Sequence, residues 1–160
     1  MEIYILRHGI ADDRRPDSPD EKRALTEDGR KKLRMVLGRA RAAGVSPSLI
    51  LTSPYVRAVQ TAEVAADVLG YKGTIVRTNA LVPVSSPEAV WREIRDHRDE
   101  AAVLLAGHEP LLSETAGYLL GAAEVAIDLK KGALLRIDVG ESSRQPRGVL
   151  LWLLTPKLSV

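Results

Sequence analysis

Three short stretches of this 160-residue chain hold the residues best suited to chemistry. They are Arg7-His8-Gly9, Ser53-Pro54 followed by Arg57, and Gly107-His108-Glu109-Pro110. Each follows a segment that reads as a buried strand. Two imidazoles and two guanidiniums, brought together, suit a phosphoryl group. Guanidinium forks match phosphate oxygens bidentately, and helix N-termini offer free N–H groups to anions. A neutral imidazole can attack phosphorus and hold the phosphoryl covalently. Histidine ordinarily titrates at about 6.5. Arg7 and Arg57 would favour the neutral form of His8 at pH 7 and stabilise charge on the transferring oxygens. Gly9 suits a backbone that turns tightly and approaches a ligand.

Each signal is weak alone. His8 could be a structural histidine at a strand end, Arg57 part of a solvated helix face, and His108 a helix cap. His97 lies in the polar run Arg95–Glu100 and is assigned no role. Asp12 and Asp13 could ligate a metal, but adjacent loop acids are usually solvated. His108-Glu109 lacks the second histidine of a zinc-protease helix, and there is no Gly-rich nucleotide loop. With no cysteine in the chain, disulfides, zinc–thiolate sites and a thiolate nucleophile are excluded. Neither a metal nor a cofactor is expected.

Composition sets the outer bounds. An apolar fraction of 45% and a charged fraction of 28% fit an ordinary globular chain, read as a single domain over residues 1–160. A net charge of +2 with no Phe does not suggest a nucleic-acid partner. No apolar run approaches the roughly 20 residues a membrane span needs. Glu2 stands where a signal peptide would carry positive charge. A cytoplasmic location is the expectation.

The elements that must position these residues alternate. Strands are expected at Glu2–Leu6, Leu49–Thr52, Thr74–Arg77, Ala102–Ala106, Ala133–Val139 and Val149–Leu154. The loop Gly140–Gly148 is expected to join the last two as a hairpin. A helix over Thr26–Ala43 has Thr26 as cap, apolar Leu33, Val36, Leu37 and Ala40 at helical spacing, and Gly44 as its stop. A second is expected from Ser53-Pro54 to Leu69, with Ser53 as N-cap, and it ends at Gly70. A third covers Pro87–His97, and a fourth runs from Glu109-Pro110 to Leu120. The charge run Asp12–Arg23 shows no apolar period and reads as a surface loop. Such alternation predicts an α/β three-layer sandwich, with a mostly parallel central sheet of about six strands flanked by helices. In such sheets ligands bind beyond the carboxyl ends of the strands, where all three stretches fall.

LRHG at Leu6–Gly9, SPYVRAVQTA at Ser53–Ala62 and GHEP at Gly107–Pro110 together resemble the signature of the histidine phosphatase superfamily, with its phosphoglycerate mutase-like fold. ALTEDG at Ala24–Gly29 resembles that family's Leu-Thr-x-x-Gly segment. The resemblance implies that His8 is the phosphorylated nucleophile, that Arg7, Arg57 and His108 form the phosphate pocket, and that Arg23 lines its rim. It implies no metal.

Within the superfamily the chain resembles the small phosphohistidine phosphatases of the SixA type. Gly70–Ala101 has room for only one strand and one helix, so no insert covers the site, which is expected to be shallow and open. The family's carboxylate acid would fall near Leu81–Ser85, where this chain reads LVPVS. An alcohol leaving unprotonated resembles water, whose pKa is about 15.7. An imidazole protonated on its other nitrogen leaves as a neutral ring and needs far less acid help. The expected reaction is therefore hydrolysis of phosphohistidine on a protein. Two alternatives stay open: a phosphomonoesterase for a small metabolite, with Asp12, Asp13 or Glu109 as acid, and an inactive phosphate-binding module.

Overall fold

The computed structural model describes residues 1–140 and 144–160. Its strands are β1 (Glu2–Arg7), β2 (Leu49–Thr52), β3 (Val76–Arg77), β4 (Ala102–Gly107), β5 (Leu134–Asp138) and β6 (Val149–Leu154). Its helices are α1 (Glu27–Ala42), α2 (Val56–Leu69), α3 (Pro87–Asp96) and α4 (Leu111–Leu119). The sheet order is β3-β2-β4-β1-β5-β6. The first four are mutually parallel, and β5 and β6 are antiparallel additions. The predicted hairpin pairs as expected, while positions 141–143 at its tip lie outside the described residues.

Period-2 alternation sorts the sheet's side chains between two cores. Ile3 and Ile5 of β1, Leu49 and Leu51 of β2, and Val103 and Leu105 of β4 face α3 and α4. Tyr4, Leu6, Ile50, Leu104 and Ala106 face α1 and α2, meeting Leu33, Val36, Leu37 and Ala65. The central strands are apolar on both faces because helices cover both. Truncating one of these buried leucines to alanine costs about 2–5 kcal/mol.

Capping follows the sequence closely at α1. Thr26 Oγ1 accepts from the Gly29 N–H at 2.9 Å. Gly70 ends α2 in the left-handed region at φ 72°, which a residue lacking Cβ adopts freely. Thr74–Arg77 contracts to the two-residue β3, held only by the pairs Leu51–Val76 and Thr52–Arg77.

Two departures matter for the site. β1 and β4 each run one residue further than expected, so Arg7 pairs with Gly107 inside the ladder. The His8 N–H then donates to the Gly107 carbonyl at 3.0 Å. The second departure is that α2 begins at Val56, with Tyr55 in the cap position and no side-chain cap. Ser53, expected as its cap, is engaged elsewhere.

Candidate active site

The carboxyl ends of β1, β2 and β4 deliver His8, Ser53 and His108 to one edge of the sheet, all buried. Arg57, in the first turn of α2, is also buried at 4% exposure. The two imidazole centroids lie 5.2 Å apart.

The hydrogen bonds of His8 fix its tautomer. Its Nδ1 lies 2.7 Å from the Gly9 carbonyl, which can only accept. Arg57 Nε, which can only donate, lies 3.3 Å from His8 Nε2. The proton therefore sits on Nδ1, and Nε2 carries the lone pair. Burial, chiefly, lowers the His8 pKa to about 4; Arg57, Arg7 and Lys131 push the same way, and the Gly9 carbonyl opposes them. The sequence argument credited the cations; desolvation is the larger cause.

His108 is held in the same neutral state. Burial first, then the positive charge His8 gains when protonated and the Arg57 guanidinium, lower its pKa to about 3. Its Nε2 and Ser53 Oγ are 2.8 Å apart, and Ser53 Oγ also accepts from the Tyr55 N–H at 3.3 Å. That double use explains why Ser53 does not cap α2. Tyr55 packs edge-on against His108 and lies under the Arg57 guanidinium.

Arg7 Nη1 donates to the Leu129 carbonyl at 2.8 Å. Among the described residues, Arg7 Nε and His108 Nδ1 are buried side-chain nitrogens without a hydrogen-bond partner. Orphaned polar atoms of this kind are costly, and Arg7 Nε, which can only donate, calls for an acceptor.

Gly9 has a different reason from the one expected. Its φ is not positive; a Cβ there would lie 2.7 Å from Leu33 Cδ1 and 3.2 Å from the Gly29 carbonyl oxygen. Close packing of α1 behind His8 accounts for the glycine. The Gly9 N–H donates to Thr61 Oγ1 at 3.2 Å, and Thr61 Oγ1 donates to the Arg57 carbonyl at 2.7 Å. That relay ties the loop after β1 to α2.

The residue missed in the sequence is Asp20. Positions 12–19 are exposed, as a surface loop should be, but Asp20–Lys22 forms a 3₁₀ turn that folds back onto α2. Asp20 Oδ2 accepts from Arg57 Nη2 at 3.0 Å, and its carbonyl accepts from Nη1 at 2.9 Å. Its Oδ1 accepts from Arg23 Nε at 2.8 Å. Arg23 thus stands one carboxylate away from Arg57. Burial alone would raise the Asp20 carboxyl; Arg57 and Arg23 outweigh it and hold it below the usual carboxylate range. The turn closes over the guanidinium. Ser18-Pro19-Asp20-Glu21 carried the signal, a serine and proline followed by acids at a helical start.

Among the described residues, none of the three carboxylates considered as acids hydrogen-bonds the side chain of His8, Arg57 or His108. Glu109 Oε1 accepts from the Ser113 N–H at 2.8 Å, within the first turn of α4. Asp12 and Asp13 are exposed and line a depression with Arg15, Lys22 and Arg23. After β3, Leu81 is fully buried, and Glu93 of α3 accepts from Thr78 Oγ1 at 3.0 Å and faces His97. Among the described residues no cluster of three or more His, Asp or Glu could hold a metal ion.

Comparison with known proteins agrees with this fold. The profile of the histidine phosphatase superfamily (branch 1) matches residues 3–82. An uncharacterized protein of Picosynechococcus sp. is 36% identical over 149 residues, covering 91% of this chain and 89% of that protein. The phosphohistidine phosphatase SixA of Escherichia coli is 27% identical, over 98% and 94% of the two chains. A solved structure of the protein histidine phosphatase SixA complexed with tungstate superposes with a TM-score of 0.89 at 25% identity, covering 98% of each chain.

Proposed function

The chain belongs to the histidine phosphatase superfamily, and within it we propose that it hydrolyses phosphohistidine on a protein through a covalent phospho-His8 intermediate. The observation that carries this reading is the fixed tautomer of His8. A lone pair on Nε2, held by the Nδ1–H bond to Gly9, is the form that attacks phosphorus.

In the first step His8 Nε2 bonds to phosphorus and the substrate's N–P bond breaks. The departing imidazole keeps that electron pair and leaves as a neutral ring if its other nitrogen is protonated. Phospho-His8 is then itself a cationic ring, with its charge stabilised by the Gly9 carbonyl at Nδ1. In the second step water attacks phosphorus, and Nε2 recovers its pair. Both water protons end on the phosphate, and His8 returns to its starting state. Phosphoryl oxygens would supply the acceptor that Arg7 Nε lacks. Developing charge would meet Arg7 and Arg57 in a site sheltered from water. The SixA complexed with tungstate supports a tetrahedral oxyanion as the ligand class.

The acid inventory favours an imidazole leaving group over an alkoxide. Asp20 is the carboxylate in contact with Arg57, and two guanidiniums keep it ionised. Glu109 is engaged by α4. A sugar phosphate would need a protonated carboxyl, which Asp20 does not provide.

The test offers free phosphohistidine, a histidine-phosphorylated protein and a sugar phosphate in parallel, and traps acid-labile phosphate on the protein. Turnover of the first two with label on His8 is expected, and His8→Ala should lose both label and turnover. Faster turnover of the sugar phosphate would replace this reading with the esterase. Failure to trap phosphate on His8 from any donor would replace it with a binding module.

A further inference from the structure

We propose that the lysine-rimmed groove running outward from Arg7 docks an acidic surface of the phosphohistidine-bearing protein, an inference that rests on the reaction proposed above. The groove encloses ≈ 1000 Å³ between the start of α1, the segment before β5 and the C-terminal turn at Pro156–Leu158. Its cations are Arg7, Lys31, Lys32, Lys130, Lys131 and Lys157, against the single acid Asp28. Six of the chain's 23 Lys and Arg therefore share a lining with one of its 21 acids. The whole chain carries only +2, so this is a local concentration of charge and not general basicity.

Little of that charge is neutralised from within. Lys32 pairs with Asp28 at 2.9 Å and Lys130 with Asp128 at 2.7 Å, both in exposed positions. Lys31, Lys131 and Lys157 are exposed, and among the described residues none of them forms an ion pair. Ile10, Met35 and Pro156 line the groove between them. A strip with apolar residues between unpaired lysines suits a protein surface bearing carboxylates around a few apolar side chains.

The groove is continuous with the reaction site. Arg7 lines it and has its Nη1 bound to the Leu129 carbonyl, one residue before Lys130. The charge of Lys131 reaches His8 itself. A protein whose phosphohistidine enters beside Arg7 would lay its flanking surface across the lysines. The phosphohistidine side chain alone is far smaller than this volume and has no use for it. A single-stranded nucleic acid would need aromatic platforms for its bases, and no Trp or Tyr lines the groove.

The experiment uses two histidine-phosphorylated peptides of equal length, prepared with phosphoramidate. One has Asp and Glu flanking the phosphohistidine and the other Lys and Arg. Free phosphohistidine is the control that has no surface. At low ionic strength kcat/KM for the acidic peptide should exceed that for the basic one by about tenfold, and the gap should shrink as salt is added. The double variant K31E/K157E should bring the ratio close to one while leaving free phosphohistidine turnover unchanged. Lys131 stays intact because its charge acts on His8. Equal rates for the two peptides, or a preference that survives charge reversal, would overturn the groove. If no phosphohistidine substrate is hydrolysed, the proposed reaction fails instead. The groove is then judged by fluorescence anisotropy with the unphosphorylated acidic peptide, whose salt-sensitive binding should vanish in K31E/K157E; its absence from the unmodified protein would also overturn the proposal. Tighter binding of a single-stranded oligonucleotide than of that peptide would reassign the groove to nucleic acid.

Discussion

At the scale of single residues, the site is built from groups whose alternatives are closed off. His8 has one available tautomer because a carbonyl holds one nitrogen and a guanidinium faces the other. Asp20 is the counterweight: it occupies the terminal nitrogens of Arg57 that a phosphoryl oxygen could also use. An anion entering the pocket meets that carboxylate as a like charge, which two unit charges about 5 Å apart feel at roughly 1–3 kcal/mol for an effective dielectric between 80 and 20, toward the lower end because Asp20 is partly exposed. Asp20→Asn should therefore tighten inhibition by phosphate or tungstate, by about tenfold, read from competition against turnover. It should also lose about 1–3 kcal/mol of stability in urea, because Arg57 is buried and gives up a charged partner. Weaker oxyanion inhibition in Asp20→Asn would show that the carboxylate orients Arg57 for the ligand rather than competing with it.

At the scale of elements, α1 is the support behind His8. Its first turn presses against the loop after β1 so closely that a Cβ on Gly29 would stand inside the Ile10 backbone. Backbone cannot rotate away as a side chain can, so Gly29→Ala should cost about 3 kcal/mol. It should also lower turnover by displacing Gly9 and His8. Gly38, on the same helix, has nothing within 4 Å of its would-be Cβ. Gly38→Ala should instead stabilise by about 0.5–1 kcal/mol, from helix propensity and a less flexible unfolded chain. Urea midpoints of the pair measure both, and two changes of the same sign would contradict this account of α1.

At the scale of the whole molecule, two histidines are kept neutral inside the fold, and stability must answer to pH. Each has a folded pKa below its unfolded value of about 6.5, namely about 4 for His8 and about 3 for His108. Above the unfolded pKa both states are neutral and stability is unaffected. As pH falls below about 6.5 the unfolded chain gains protons that the folded one refuses, so stability drops, at up to about 1.4 kcal/mol per pH unit for each histidine. The loss levels off once the folded histidines protonate as well. Replacing either with asparagine should flatten the slope of the urea midpoint between pH 6.5 and 4; an unchanged slope in both variants would count against buried neutral histidines. Phosphate at a hundred times its dissociation constant should add about 2.7 kcal/mol to unfolding at pH 7, a gain that His8→Ala retains only in part.

Much of this protein could be read from the order of its residues, and the reasons are local. Thr26, Gly44 and Gly70 mark helix ends because capping and left-handed backbone are decided within a few residues. The double-sided apolar strands and their connecting helices predicted a mostly parallel layered sheet, and three polar strand ends pointed to one edge of it. What sequence could not settle depended on partners distant along the chain. Ser53 reads as a helix cap until His108, from another strand, takes its hydroxyl. Gly9 reads as a turn until Leu33 is seen against it. Asp20 reads as one charge in a solvated run until the sheet sets Arg57 beside it. Residue type and spacing determined which groups could handle a phosphoryl. Tertiary structure decided their protonation, their pairing and the carboxylate among them, because burial and charge act through space rather than along the chain.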